Sequence, residues 1–296
     1  MCAVWKNIQP ELKEFMETMK AFRLERERVK LLQQRRHCAS IVLNAFKRTS
    51  PTILASPNEF LPSSPDFWKW HPVKRIINSP NGVDVIVRSF ETVLPDIPEW
   101  IVSWREGRID ELVDKIRIYD LPYVGNRYSS RLARLELAVS VFTCKQPMCP
   151  DDKNISGWQE HVYLYYPEFL HHRCNNIRWK DWRKSGDDEA ALSLGKGYDK
   201  FIRNVWTAEK LQFNEKASMV VRKIVESCGW DWKIMTAAEL DRLNPGLVCL
   251  KCTWGCRCDG ERRVTVRGWR ASVRDICCII VASFGLIASD LRSCIV

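Results

Sequence analysis

The sequence predicts a mainly α protein: a helical scaffold carrying small irregular Cys/His-rich insertions and at most a short hairpin. Three observations lead there. Apolar residues recur at three-four spacing over several long stretches, the pattern of amphipathic helices. Strand-like alternation is confined to two short runs, Val83–Val87 and Arg263–Val266. Seven of the 13 cysteines crowd into two irregular segments, 144–190 and 247–274. At 296 residues, with 46% apolar and 28% charged residues, the chain can bury a sizeable core. That composition excludes a chain disordered throughout, a collagen and a multi-span membrane protein.

Six segments follow in order. Residues 1–50 read as a long helical arm. Pro10 suits a first helical turn. Leu12, Phe15, Met16, Met19 and Phe22 carry the apolar stripe, and Val29, Leu32, Ala39, Leu43 and Phe46 resume it past Arg26. Forty helical residues span about 60 Å, longer than one small core covers. The helix is therefore expected either to break near Arg35-Arg36 or to stand partly exposed as a docking arm. Residues 51–143 are a helical region, entered through a Pro- and Ser-rich crossing (Pro51, Pro57, Pro62, Pro65) and anchored by Phe67, Trp68 and Trp70. Its helices are expected at Pro98–Asp120 and Ser130–Phe142, with a short strand at Val83–Val87.

Residues 144–190 form the first Cys/His-rich segment. Residues 191–246 are helical again. Thr207 is a cap residue, Gly229 after Cys228 is a stop, and Thr236 to Glu239 is a capping box ended by Asn244-Pro245. Residues 247–274 form a second, finger-like Cys-rich segment. Residues 275–296 are an apolar tail, read as an aberrant or degenerate end. Its run Ile276–Ser289 is 14 residues, short of the roughly 20 that a membrane helix needs. Cys294 is third from the end, so the prenylation pattern fails as well. No membrane association is expected.

The opening Met-Cys-Ala-Val-Trp-Lys carries no secretory signal, so a reducing compartment, cytoplasm or nucleus, is expected. There, 13 cysteines mean thiols or metal ligands rather than disulfides. Zinc wants four soft or borderline ligands at tetrahedral corners. Cys144 and Cys149 bracket four residues including Pro147, which helps the chain reverse, and His171-His-Arg-Cys174 follows after 21 more. The most economical set is Cys144, Cys149, His172 and Cys174, with His171 as an alternate. The pair His172-x-Cys174 needs extended backbone to aim both ligands one way.

The second candidate is denser. Cys249 and Cys252 form a two-residue-gap half-site, and Cys256 and Cys258 lie just beyond. Asp259-Gly260 signals a turn, and a helix is expected from Trp269, the hairpin-then-helix layout of a finger. All five histidines lie at or before His172, so this site is all-cysteine or borrows Cys277 and Cys278.

The net charge is +10, with basic residues clustered at Lys20–Arg36, Arg173–Lys184 and Glu261–Arg274. Arg178-Trp-Lys-Asp-Trp-Arg-Lys184 interleaves rings with cations, as a nucleic-acid surface would. A basic zinc-dependent nucleic-acid-binding protein is thus the alternative function. No nucleotide loop, His-Glu-x-x-His or Gly-x-Ser-x-Gly is present, and the expectation is a non-enzymatic protein without a small-molecule substrate.

Several stretches together resemble one family: Arg35–Phe46, Phe67–Ile77, Val83–Phe90, Leu94–Trp104, Val141–Cys144, Tyr166–Cys174, Leu247–Cys252, Cys258–Val264 and Trp269-Arg270. In that order they are similar to basidiomycete F-box-domain-containing proteins. The resemblance implies a long helical region, two zinc-finger-like segments and a role in presenting a target for ubiquitin ligation through a Skp1-type adaptor. The Leu-Pro-x-Glu opening of an F-box is absent here. The resemblance thus implies a protein-interaction scaffold with structural zinc that corresponds to the region after the F-box.

Overall fold

The computed structural model describes residues 2–50, 60–117, 128–146, 149, 154–155, 158–159, 162–179, 201–248, 257–258, 261–262 and 266–274. Helix dominates, as expected. The chain divides into two compact units, residues 1–102 and 103–296.

The first unit is organised by α1, Cys2–Thr49, a single helix of 48 residues and about 70 Å. It does not break at Arg35-Arg36. Pro10 lies inside it, near its start. Its second half carries the core: Ala39, Val42 and Leu43 pack with Phe67, Val73, Ile77, Val85, Phe90, Val93 and Ile97. Those partners come from α2 (Ser64–Lys69), α3 (His71–Ile77) and a 3-10 segment, Val87–Asp96. Pro sits in the first turn of both α2 and α3, where its missing N–H costs nothing. The rings of Phe67, Trp70 and Trp100 meet at 5.1–5.9 Å between centroids, so the tryptophans anchor the core as the sequence indicates.

Val83–Val87 is not a strand. Val83 and Val87 are exposed and Val85 alone is buried, so an isolated alternating run with no partner strand adopts coil and then 3-10 turns. Arg35 holds the turn that leads into this run. Its side chain is buried, and its guanidinium donates to the carbonyls of Ile77 (3.1 Å), Pro80 (2.8 Å) and Val83 (2.7 Å), and to that of Ser79. Of these acceptors Val83 alone belongs to the run, and its carbonyl is satisfied by Arg35.

The unit boundary falls within α4, Ile97–Val113, which is shorter than its sequence expectation and ends in a turn at Asp114-Lys115. In the second unit α5 spans Tyr128–Glu136. The helix expected to run on to Phe142 stops here, and Phe142–Cys144 becomes β1, the central strand of a three-stranded antiparallel sheet. Its neighbours are β2 (Tyr163–Leu164) and β3 (Leu211–Phe213), with Phe142 opposite both Leu164 and Phe213. Neither neighbour is predicted by periodicity, because two or three residues are too few to alternate. Thr207 caps a 3-10 turn, Ala208–Lys210, and the long helix starts later, at α6 (Glu215–Ser227), where Asn214 accepts from the Ala217 N–H at 2.9 Å.

Gly229 ends α6 at φ +76°, the left-handed conformation that favours glycine. The Thr236–Glu239 capping box opens α7, Ala237–Leu243, and Asn244 closes it in the left-handed region. A helix does begin at Trp269, α8 (Trp269–Arg274). Val220, Val221, Ile224 and Val225 of α6, Leu240 of α7, and Trp269 and Val273 of α8 meet Leu137, Val139 and Tyr165 in the core. Arg270 fixes this corner: it bonds Asp241 (2.7 and 2.8 Å) and Glu168 (2.8 Å) and lies over the Tyr165 ring.

Candidate metal centre

β1 ends on Cys144, opposite Leu211. The chain then turns: the N–H of Cys149 donates to the Gln146 carbonyl at 3.2 Å, and the Gln146 N–H donates to the Cys144 sulfur at 3.4 Å. On the other side, the short helix Glu168–His171 hands over to the 3-10 turn Arg173–Asn175 through His172. His172 itself has φ −59° and ψ 126°. Only His172 is extended; Arg173 and Cys174 lie in the 3-10 turn, so the pair is brought together by one extended residue followed by a turn and not by the extended backbone the sequence led us to expect.

The result is a cluster. Cys144, Cys149, His172 and Cys174 are all buried, and their sulfur and imidazole ligand atoms all lie within 4.8 Å of one another. No disulfide joins the three cysteines. Cys149 Sγ is 3.8 Å from Cys174 Sγ and 3.6 Å from His172 Nε2. A tetrahedron with metal–sulfur bonds of about 2.3 Å and a metal–nitrogen bond of about 2.0 Å has S–S edges of roughly 3.8 Å and S–N edges of roughly 3.5 Å. These residues can therefore hold a metal ion. His171, the alternate, is exposed on the preceding turn and is not in the group.

The electrostatics suit a ligand set. The Cys174 thiol, donating to the Cys144 sulfur, holds Cys144 at about 4 against the opposing effect of burial, with His172 and the Gln146 N–H adding to the downward shift. Cys174, as the donor beside that sulfur and buried, is pushed up. A metal ion would take the place of the remaining protons.

Around the ligands, polar groups fix the backbone that aims them. The Asn175 side chain donates to the Phe169 carbonyl at 2.7 Å, and the Asn175 carbonyl accepts from the Thr207 N–H at 3.1 Å. Lys210 donates from Nζ to the Cys174 carbonyl at 2.7 Å, and its own carbonyl accepts from the Lys145 N–H at 2.8 Å. Trp206, buried, donates to the Leu170 carbonyl at 3.0 Å, and its ring lies under the Arg108 guanidinium. None of Asn175, Trp206 and Lys210 is a ligand type for zinc, so ligand spacing could not find them. The adjacent Asn175-Asn176 directly after Cys174 was the available signal, since Asn favours turns that bond the local backbone.

In the second candidate set, Cys249, Cys252 and Cys256 lie outside the described residues. Cys258 is described only as backbone, in a strand Arg257–Cys258 that pairs with Glu261–Arg262. The Trp/Arg heptapeptide is described as backbone at Arg178 and Trp179 only, and Lys180–Lys184 and the apolar tail 275–296 lie outside. Among the described residues, no helix is long and apolar enough to cross a membrane. No protein-family model, curated protein or solved structure matches the chain.

Proposed function

We propose that Cys144, Cys149, His172 and Cys174 hold a structural Zn²⁺, and that the chain is a non-enzymatic protein-interaction scaffold. The observation that carries this reading is the closure of the site: four buried candidate ligands, with donor atoms all within 4.8 Å of one another, are enough to fill every position around a four-coordinate ion. A catalytic zinc keeps one position for water or substrate. Three sulfurs and an imidazole favour zinc over the harder ions that prefer oxygen. The ion ties β1 to the turn Arg173–Asn175, across a stretch whose described strands are only two or three residues long. The F-box resemblance supplies the finer reading, a target-presenting region of a ubiquitin-ligase adaptor.

Metal analysis of the purified full chain tests the proposal. Zinc is expected, and Cys144→Ser is expected to remove about one equivalent that Cys249→Ser leaves in place. Cobalt substitution gives the intense visible bands of a tetrahedral thiolate site. Purified protein with no zinc, or zinc unaffected by Cys144→Ser, overturns it. A purified Skp1-type adaptor, mixed with the full chain, separately tests the ubiquitin-ligase reading.

A further inference from the structure

Two basic clusters that lie far apart in the sequence meet in the second unit. Arg173 from one and Arg270 and Arg274 from the other line a single cleft of about 480 Å³, together with Tyr163, Tyr165 and His171, the imidazole outside the metal group. The volume is that of an ordinary small-ligand site, roughly 300–1,000 Å³. Glu168 is the one carboxylate among the described lining residues.

The cations of this cleft are not equally engaged. Arg270 is held by Asp241 and Glu168 at 2.7–2.8 Å, and Glu168 also accepts from the Tyr165 N–H at 3.4 Å. Asp241 is not part of the lining. Arg173 and Arg274 are exposed, and among the described residues no carboxylate pairs with either. Two such guanidiniums on one concave wall leave positive charge and paired N–H donors for an anion.

A second observation points the same way. Tyr165 is 2% exposed, and its hydroxyl finds no hydrogen-bond partner among the described residues. A buried polar group in that state costs free energy until a partner reaches it. Burial raises the pKa of this phenol, and Arg270, Tyr163, Glu168 and Arg274, all cleft residues, act on it next. The ring is held by the Arg270 guanidinium, 4.5 Å from its centroid, and by the edge-on Trp269 ring at 4.8 Å.

Arg173, Arg274 and the Tyr165 hydroxyl thus offer donors to three oxygens. A phosphate monoester presents three acceptor oxygens and close to two negative charges at neutral pH. A carboxylate or a phosphodiester presents fewer of both. We propose that this cleft binds a phosphate monoester, free or carried on a partner protein. In the second case it gives the interaction scaffold the chemistry of its partner and rests on that reading.

Titration calorimetry of the purified full chain tests it. The probes are phenyl phosphate, a free ester, and a short phosphoserine peptide; benzoate and a dinucleotide are the carboxylate and diester controls. One-site binding of at least one ester is expected, well above that of either control. Tighter binding of the peptide places the phosphate on a partner protein, and tighter binding of phenyl phosphate places it on a small molecule. Losing one charge-assisted hydrogen bond, Arg274→Gln or Tyr165→Phe should each weaken binding about tenfold. Both variants should keep the wild-type zinc content and melting temperature, so that a lost ligand is not a lost fold. A cooperatively melting chain that binds neither ester at millimolar concentration overturns the proposal. So does ester binding that either variant leaves unchanged, or a control anion bound as tightly. Esters bound through Arg274 by a chain without zinc would overturn the metal reading alone, and zinc without ester binding would overturn this proposal alone.

Discussion

Each unit shapes an irregular stretch around one buried polar centre, and the two centres are made of different chemistry. In residues 1–102 it is the Arg35 guanidinium, which gathers the carbonyls of Ile77, Ser79, Pro80 and Val83. In residues 103–296 it is the cluster of Cys144, Cys149, His172 and Cys174. The guanidinium brings its own fork of donors with it. The thiol cluster brings candidate ligands only, and under the zinc reading its cohesion depends on an ion, on reduced sulfur and on proton concentration. One unit is thus stabilised unconditionally at this point and the other conditionally.

The largest effect expected from this contrast is metal removal. A structural zinc contributes on the order of 10 kcal/mol of folding free energy. A strong chelator should therefore abolish or sharply lower the melting transition of the second unit in calorimetry and leave that of the first in place. If both transitions moved together, or neither moved, the contrast between the two centres would be wrong. Acid should act in the same direction as chelator. The Cys144 pKa is depressed in the folded chain, so its contribution is complete above the ordinary thiol value and is lost as pH falls toward about 4.

Next comes Arg35→Met, which keeps most of the side-chain volume and removes every donor. The carbonyls of the 77–83 turn lose their buried partner, a loss of about 3 kcal/mol by comparison with broken buried charged pairs. The melting temperature of the first unit should fall, with or without chelator. A change below about 0.5 kcal/mol, the range of ordinary surface substitutions, would show that water replaces the guanidinium without cost.

The same contrast explains what could be read from the sequence. The cysteine–histidine group of the second unit was legible because a soft metal site calls for particular residue types, and Cys and His at short gaps are among them. His172 and His171 could not be separated by spacing. Burial decides between them, and burial follows from β1 and the 168–175 turns, which are too short to announce themselves. Arg35 was illegible for the converse reason. An arginine on a helix ordinarily faces solvent, and its acceptors are backbone carbonyls more than 40 residues away that carry no sequence mark. Long helices were legible as existing but not in their ends. The run 130–142 has helical spacing throughout, yet Phe142–Cys144 pairs with strands on both sides, and tertiary pairing overrides propensity there. Where a cap is chemical rather than periodic, as at Gly229 and at Thr236–Glu239, sequence and structure agree.

The smallest effect is at that last cap, and it separates metal-independent from metal-dependent acid sensitivity within one unit. Glu239 accepts from the N–H and the hydroxyl of Thr236 at 3.0 and 2.8 Å. Those bonds favour the carboxylate and hold its pKa below the ordinary value of 4.5. A depressed acid stabilises the fold at pH above its unfolded value, and the contribution disappears as pH falls through the folded value. Glu239→Gln keeps a capping acceptor and removes the charge. Urea midpoints of the two chains should therefore differ slightly at pH 7 and converge as the pH falls through the depressed carboxylate value, and the convergence should persist in chelator as long as a transition can be followed. A difference that stayed constant down to pH 3 would mean that the carboxylate charge contributes nothing to the cap, leaving the cysteine cluster as the acid-sensitive element of the unit.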